Sequence, residues 1–435
     1  MWLRLVLIAV LSLLGWQVVE RGMGQMYSER LAAIYTIGWV TPWVDAVDSI
    51  PPDSALSLSA DAWASLSDQA LVRGLHANAE TYAWRALNRD MSSGRAVARL
   101  LALRDTQQQL NEADKLAHLA YRLWPVHSDA LLRVASHWIV REDLKQLLPI
   151  LHVLMTQTGE YNQALFPALH ELAKSDEAVH LKQYVSQAPQ WWPAFFSYLC
   201  QQESDLAIVT AYYRERLKAT QPLQQSEQTP YINRLIKDQQ WQQARDIWIT
   251  TLSEKQQKFA TTFLYDSGFE SDRYNEGFAW HLNSTPLVTI NTGSTGGITG
   301  KQALRIAFKT PKKPIHFQQI WQRLTLPADH YTLTLRYRAD NFITAKGLQW
   351  RMYCDTPTPS LLGESQILNA SKDWKTLSMN LKVPQEITSP VEKDHKSQPC
   401  AAQILRLEAA SRYAHEHLFE GTLWIDDIAI TSSIP

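Results

Sequence analysis

The apolar residues of this chain change period near Phe263. From about residue 60 to 260, small and apolar residues recur at helical spacing in runs rich in Ala, Leu, Gln and Arg. Beyond Phe263 they alternate every second residue, between clusters of Pro, Gly and Asn. The first pattern buries one stripe of a helix and the second buries one face of a strand. Two such blocks in sequence predict separate layers rather than alternating βαβ units. The expected class is multidomain α + β, and 435 residues suffice for two or three cores.

Within the helical block, Ala79, Ala83 and Ala86 in NAETYAWRALNRD precede Ala113, Ala117 and Ala120 in NEADKLAHLAYRLWP by 34 positions. Ala98-Arg99 and Leu132-Arg133 share that offset. Small residues at helical spacing let two helices of a hairpin approach closely, and such hairpins bury their faces by stacking on neighbours. Asn78 to Arg89 and Asn111 to Pro125 are expected as second helices of two units. These residues resemble the tetratricopeptide repeat, in which Pro125 would terminate a unit. The match then decays: REDLKQLLPILHVLM lacks the alanines and is expected to be interrupted at Pro149. Trp241, Ala244 and Trp248 mark a later repeat-like helix, and QAPQWWPAFFSYL the start of another unit.

In the β-rich block, Tyr331, Leu333, Leu335 and Tyr337 share one face of a strand, while Arg336 and Arg338 lie on the other. Eight strands are expected, in LVTIN, QALRIAF, FQQIWQRLTL, YTLTLRYRA, LQWRMYC, WKTLSMNLKV, QILRLEA and TLWIDDIAI, which gives a β-sandwich of jelly-roll type. The ordered segments GFES…FAW, GSTGGITGKQALRIAF, LTLPADHYTLTLRYRA and TLWIDDIAI resemble carbohydrate-binding-module-like, galactose-binding-like jelly rolls. On that resemblance, YDSGFESDRYNEGFAWHL (265–282) is the opening strand and loop of the module.

The N-terminus carries an apolar run from Leu5 to Val19, preceded by Arg4, closed by Glu20 and Arg21, and flanked by Trp2 and Trp16. It reads as an uncleaved signal anchor, a transmembrane helix, with a cleaved signal as the alternative. The expected organisation is an anchor over 1–24, a juxtamembrane segment over 25–59, tetratricopeptide-like repeats over 60–260 and the sandwich over 261–435. The bulk of the chain would lie in the periplasm, bound to a bacterial inner membrane. With 42 basic against 43 acidic residues, no global charge points to nucleic acid.

Several residues are candidates for chemistry. For a glycan, Trp321, Tyr353 and Trp374 offer flat faces, and Gln349, Arg336, Arg338 and Arg351 offer donors; the three arginines would suit an acidic polysaccharide if their two strands align. The bland alternative is core tryptophans and a solvated arginine face. Glu270 with Asp426 and Asp427 would meet if first and last strands are neighbours, and the resemblance implies a structural calcium there; hydrogen-bonded or solvated acids are the alternative. His415 and His417 would share a strand face as a metal pair or belong to a polar loop. Cys354 and Cys400 are expected to form a disulfide in the exported domain, leaving Cys200 free and buried.

No G-x-S-x-G, HExxH or phosphate-binding loop occurs, so an enzyme is not expected. The architecture resembles envelope proteins of exopolysaccharide or O-antigen assembly. It implies an anchored scaffold that holds a partner protein of that machinery on its repeats and a polysaccharide on its jelly roll. An enzyme acting on envelope polysaccharide and a purely structural envelope protein are the rival readings.

Overall fold

The computed structural model describes residues 59–432 except 158, 160, 262, 310–313, 389–396 and 412. The expectations for residues 1–24 and for nearly all of 25–59 therefore lie outside the described residues. Among the described residues no helix is long and apolar enough to cross a membrane.

Three helical hairpins open the described chain: α1 (Ala60–Val72) with α2 (His76–Arg89), α3 (Gly94–Thr106) with α4 (Leu110–Leu123), and α5 (Ser128–Val140) with α6 (Leu144–Gln157). First helices begin at 60, 94 and 128 and second helices at 76, 110 and 144, so the 34-residue period persists through a third unit. Ser59 and Ser93 occupy equivalent N-caps, each hydroxyl accepting an N–H three residues on, at 3.2 and 3.3 Å. Each intra-hairpin turn has one left-handed residue, Gly74, Gln108 or Glu142, and closes with a bond such as Leu75 N–H to Ala70 O at 2.9 Å. Ala79, Ala83, Ala86, Ala113, Ala117 and Ala120 are all fully buried, as their spacing predicts.

In α6 the corresponding sites carry Leu147, Leu151 and Leu154, also buried. The alanine signal fades because larger residues fill the same positions. Pro149 lies inside α6 and does not interrupt it. It is the sixth helical residue, so its missing N–H removes one bond near the start while the later turns continue. Pro167 and Pro230 stand at the same depth in α7 (Asn162–Lys174) and α11 (Gln225–Lys237).

The remaining helices are α8 (Ala178–Val185), α9 (Trp192–Gln202), α10 (Leu206–Arg216), α12 (Trp241–Thr250) and α13 (Glu254–Gln257). Strand structure replaces helix between residues 257 and 281, but the division into compact units falls earlier. One unit holds the described residues to Phe195 with Lys218–Thr220; the other holds Phe196–Leu217 and the chain from Gln221 onward. The second unit thus contains its own helices. Trp248 of α12 meets Tyr265 edge-on, centroids 5.0 Å apart, and packs on Phe278. Arg273 donates to Thr251 O at 3.0 Å. Gly277, at φ +52°, lets the chain pass Trp248; a Cβ there would stand 2.3 Å from the indole.

The β half forms two five-stranded antiparallel sheets with one shared core. The first has the order β2 (Val288–Gly293), β3 (Ala303–Phe308), β12 (Phe419–Ser432), β5 (Asp329–Thr344), β8 (Ser371–Val383). The second runs β1 (His281–Leu282), β4 (Ile320–Leu324), β11 (Gln403–Ala409), β6 (Leu348–Cys354), β7 (Leu361–Glu364), and β9 (Glu386–Thr388) pairs with β10 (Ser397–Pro399) as a separate ribbon. All eight expected strands are present. The missed ones, β1, β7, β9 and β10, are each four residues or fewer, too short for a period to register. Leu333, Leu335, Trp350, Met352, Leu405, Leu407, Leu423 and Ile425 alternate inward from both sheets into that core. Cys354 and Cys400 are disulfide-bonded, Cα atoms 5.4 Å apart, and Cys200 is a buried free thiol.

Candidate functional site

The segment 265–282 is expected as an opening strand and loop. It is instead a folded loop that becomes strand only at His281–Leu282. Asp266, Phe269, Asn275 and Gly277 all have positive φ, which prevents extension. The buried Asp266 carboxylate accepts the N–H groups of Glu270 and Ser271 at 2.7 and 3.1 Å and so bends the chain on itself. Phe269 and Trp280 enter the core, and the Trp280 indole N–H donates to Asp266 O at 3.0 Å. Burial pushes the Asp266 carboxyl up to about 6.

Glu270, Asp426 and Asp427 gather around a glycine-rich loop, 293–302. Glu270 Oε1 accepts the N–H groups of Lys301 and Gln302 at 2.6 and 2.8 Å. Asp426, at a bulge in β12, accepts those of Thr299 and Asp427, both at 2.8 Å. Asp427 accepts from the Thr299 hydroxyl at 2.8 Å and from Arg336 at 3.0 Å. First and last segments are neighbours, as expected: Ile428 N–H donates to Ser267 O. The donor set does not fit calcium, because N–H groups and a guanidinium, all positive ends, face these oxygens. Among the described residues no three His, Cys, Asp or Glu are grouped to hold a metal.

The same loop occupies the expected arginine face. Arg336 donates to Gly297 O at 2.7 Å; Arg338 donates to Gly296 O and Thr295 Oγ1 at 3.2 and 2.8 Å and pairs with Asp340 at 2.9 Å. Trp374 lies under both guanidiniums, 5.2 and 5.7 Å from its centroid, and donates its indole N–H to Gly296 O at 2.8 Å. These three residues clamp a loop.

Arg351 is not with them. β5 and β6 are consecutive in sequence but belong to opposite sheets, so the three arginines cannot act on one ligand. Arg351 stands on the outer face of the second sheet, where register sets His281, Trp321, Arg406, Arg351 and Glu364 in one row across five strands. Arg323, Ile404 and Tyr353 form the next row, and Glu408 faces Gln349 in a third.

The charges on this face cancel. Arg351 pairs with Glu364 at 3.2 Å, Arg406 with Glu408 at 3.5 Å and Arg323 with Asp355 at 2.7 Å. Tyr353 donates to Glu408 at 2.7 Å and Gln349 to Glu364 at 2.8 Å. Trp321 is half-buried and stacks flat on His281, centroids 3.7 Å apart. Burial, then the charge of Arg323, holds His281 down at about 4, so the stacking ring is neutral at ordinary pH. Arg323 also lies over Trp241 of α12, 5.3 Å from its centroid. Of the sequence candidates, this face unites Trp321, Tyr353, Gln349 and Arg351. Sequence reasoning missed His281, Arg323, Arg406, Glu364 and Glu408; alternation in FQQIWQRLTL and QILRLEA puts Trp321 with Arg323 and Arg406 with Glu408, but register is needed to join them.

His415 and His417 do not form a strand pair. His415 lies in a 3₁₀ turn, Ala414–Glu416, and His417 Nε2 is 3.0 Å from Ser411 O.

A helical-hairpin array followed by a two-sheet β-sandwich is thus the class of protein defined here. No family model matches the chain, and no curated protein does. Solved structures align with parts of it. The module TmCBM61, solved with beta-1,4-galactotriose, is 16% identical over 40% of this chain and 100% of its own, with a TM-score of 0.25. A beta-1,3-glucan binding module from Bacillus halodurans is 13% identical over 34% and 89%, with a TM-score of 0.20. PilF from Pseudomonas aeruginosa is 17% identical over 46% and 96%, with a TM-score of 0.26.

Proposed function

We propose that this protein is an exported, inner-membrane-anchored scaffold of exopolysaccharide or O-antigen assembly. Its helical repeats hold a partner protein, and the outer face of its second sheet holds a glycan chain. The observation that carries the glycan reading is the row His281–Trp321–Arg406–Arg351–Glu364. It combines a half-buried flat ring, stacked on His281 and flanked by the Arg323 guanidinium 5.6 Å from its centroid, with a dense set of hydrogen-bonding groups of no net charge. A sugar ring needs an apolar plane for its C–H face and polar groups at its hydroxyls. Because each arginine there already has a carboxylate, the face suits a neutral sugar better than the acidic one expected from three unpaired guanidiniums. The apolar run Leu5–Val19 supports the anchor.

The test is affinity electrophoresis of the full chain, in detergent, through gels containing polysaccharide from its own host. Trp321→Ala should lose retardation, whereas Trp374→Ala should keep it. A wild-type chain that migrates freely, or retardation lost in Trp374→Ala alone, would remove the glycan from this face.

A further inference from the structure

We propose that the first helices of the three hairpins form an oxyanion site, Arg95–Arg99–Arg133 around Asp68, that receives an acidic segment of a partner protein. The site rests on reading the repeats as a partner-holding surface and specifies the chemistry of that partner.

The sequence places these groups together by its period. Arg99 and Arg133 occupy equivalent positions 34 residues apart, on α3 and α5, and Asp68 lies on α1. First helices pack side by side, α1 on α3 and α3 on α5. The three guanidiniums therefore converge on one carboxylate. Arg99 donates to Asp68 Oδ2 at 2.6 Å and its Nε contacts Oδ1. Arg95 stands 3.4 Å from Oδ2 and Arg133 3.3 Å from Oδ1.

Among the described residues, three positive charges with one negative leave an excess of two. Among the described residues, Asp68 is the carboxylate that all three pair with. Among the described residues the Arg95 Nε, which is buried, has no hydrogen-bond partner. Burial, and then Arg133 and Arg95, press Arg99 below its usual value even though Asp68 opposes them. A further anion would relieve that crowding, and guanidinium forks match carboxylate oxygens.

Access decides which arginines a ligand reaches. The Arg99 side chain is only 5% exposed and holds Asp68, while Arg95 and Arg133 flank it at 25% and 36%. Val72, one turn beyond Asp68 on α1, and Val140, two turns beyond Arg133 on α5, are among the most exposed apolar residues described, at 78% and 72%. Charge beside exposed valines fits an extended segment with both acidic and apolar side chains. A lone phosphate would have no use for the valines.

The experiment is fluorescence anisotropy with the full chain in detergent and a labelled peptide of about ten residues built from Glu and Leu, a length that spans three neighbouring helices. Its Lys-for-Glu counterpart is the control and inorganic phosphate the competitor. The Glu peptide should bind saturably and weaken as salt rises. Arg133→Gln should weaken it about tenfold, as loss of a charge-assisted bond would, and Arg95→Gln with Arg133→Gln should abolish it. Asp68→Asn should tighten it by removing the internal competitor; if that variant does not fold, the exposed Arg133→Gln carries the test. Equal binding of the Lys peptide, unchanged affinity in the double variant, or displacement by equimolar phosphate would overturn the site. A double variant that still captures its envelope partner would leave the scaffold reading standing and remove only this site.

Discussion

His281 and Trp321 lie ring on ring, 4° from parallel, on neighbouring strands of the second sheet. The stack holds the indole flat against the imidazole and shields one face of that ring from water. Protonating His281 would place a charge in a half-buried stack beside Arg323, which is why its folded value lies near 4. An unfolded histidine takes up its proton near 6.5. The contribution of His281 to stability should therefore be complete above about pH 6.5 and lost as pH falls through about 4. Thermal melts of wild type and His281→Phe should diverge over that window, with the variant less sensitive to acid. Parallel melting curves would show that the ring is not held neutral.

Asp266 has the opposite sign. Its folded value is raised to about 6, against about 3.9 for an unfolded aspartate. The folded state binds the extra proton between those values, so the contribution of Asp266 is present at pH 4 and declines as pH rises through 6. Asp266→Asn keeps one acceptor oxygen for two N–H groups and so loses a hydrogen bond at every pH, but its stability relative to wild type should rise from pH 4 to pH 7.5. Urea midpoints at the two pH values measure this.

The bond between Cys354 and Cys400 ties the end of β6 to the approach to β11 across a separation of 46 residues. Removing it with Cys354→Ser and Cys400→Ser should cost about 4 kcal/mol on the chain-entropy model. Thiol titration of the denatured, unreduced chain should find one reactive group, Cys200, whose thiol burial pushes up to about 12 in the folded state. Three reactive thiols would show that the bond does not form.

Glu270 holds two backbone N–H groups of the loop over the first sheet. Glu270→Ala should destabilise by about 1–3 kcal/mol, the net worth of hydrogen bonds to a charged acceptor. The loss should be the same with calcium and with chelator, and a wild-type melting temperature that rises with calcium would restore a metal to this position.

Gln108 and Glu142 occupy the left-handed turn position that Gly74 fills in the first hairpin. A side chain there costs about 1–2 kcal/mol relative to glycine. Gln108→Gly and Glu142→Gly should each raise the denaturation midpoint, less the larger entropy glycine loses on folding. A lower midpoint in both would show that the side chains contribute more than the strain removes.

Much of the scaffold was legible because it follows from local period. Alanines 34 residues apart must meet a neighbouring helix closely, and those at 79, 83, 86, 113, 117 and 120 do. The eight longer strands were legible because alternation over five or more residues separates an inward from an outward row. The third hairpin was harder to read: Leu147, Leu151 and Leu154 keep the spacing but not the residue type. Pro149 looked like a break only because its depth in the helix was unknown.

The site was legible only by halves. Alternation shows that Arg336, Arg338 and Arg351 point away from the core, but a sandwich has two outer faces. Which face a strand takes depends on which sheet it joins. That is a matter of pairing between residues far apart in sequence, such as Arg406 with Trp321 and Arg351, and no local pattern encodes it. Likewise Asp266 and Glu270 in the sequence are two acids in a polar stretch. Only the folded chain brings N–H donors to them, because the positive φ at Asp266 and Phe269 turns the segment back on itself. Residue type and spacing determined the elements and their buried faces; long-range register decided which exposed side chains share a surface.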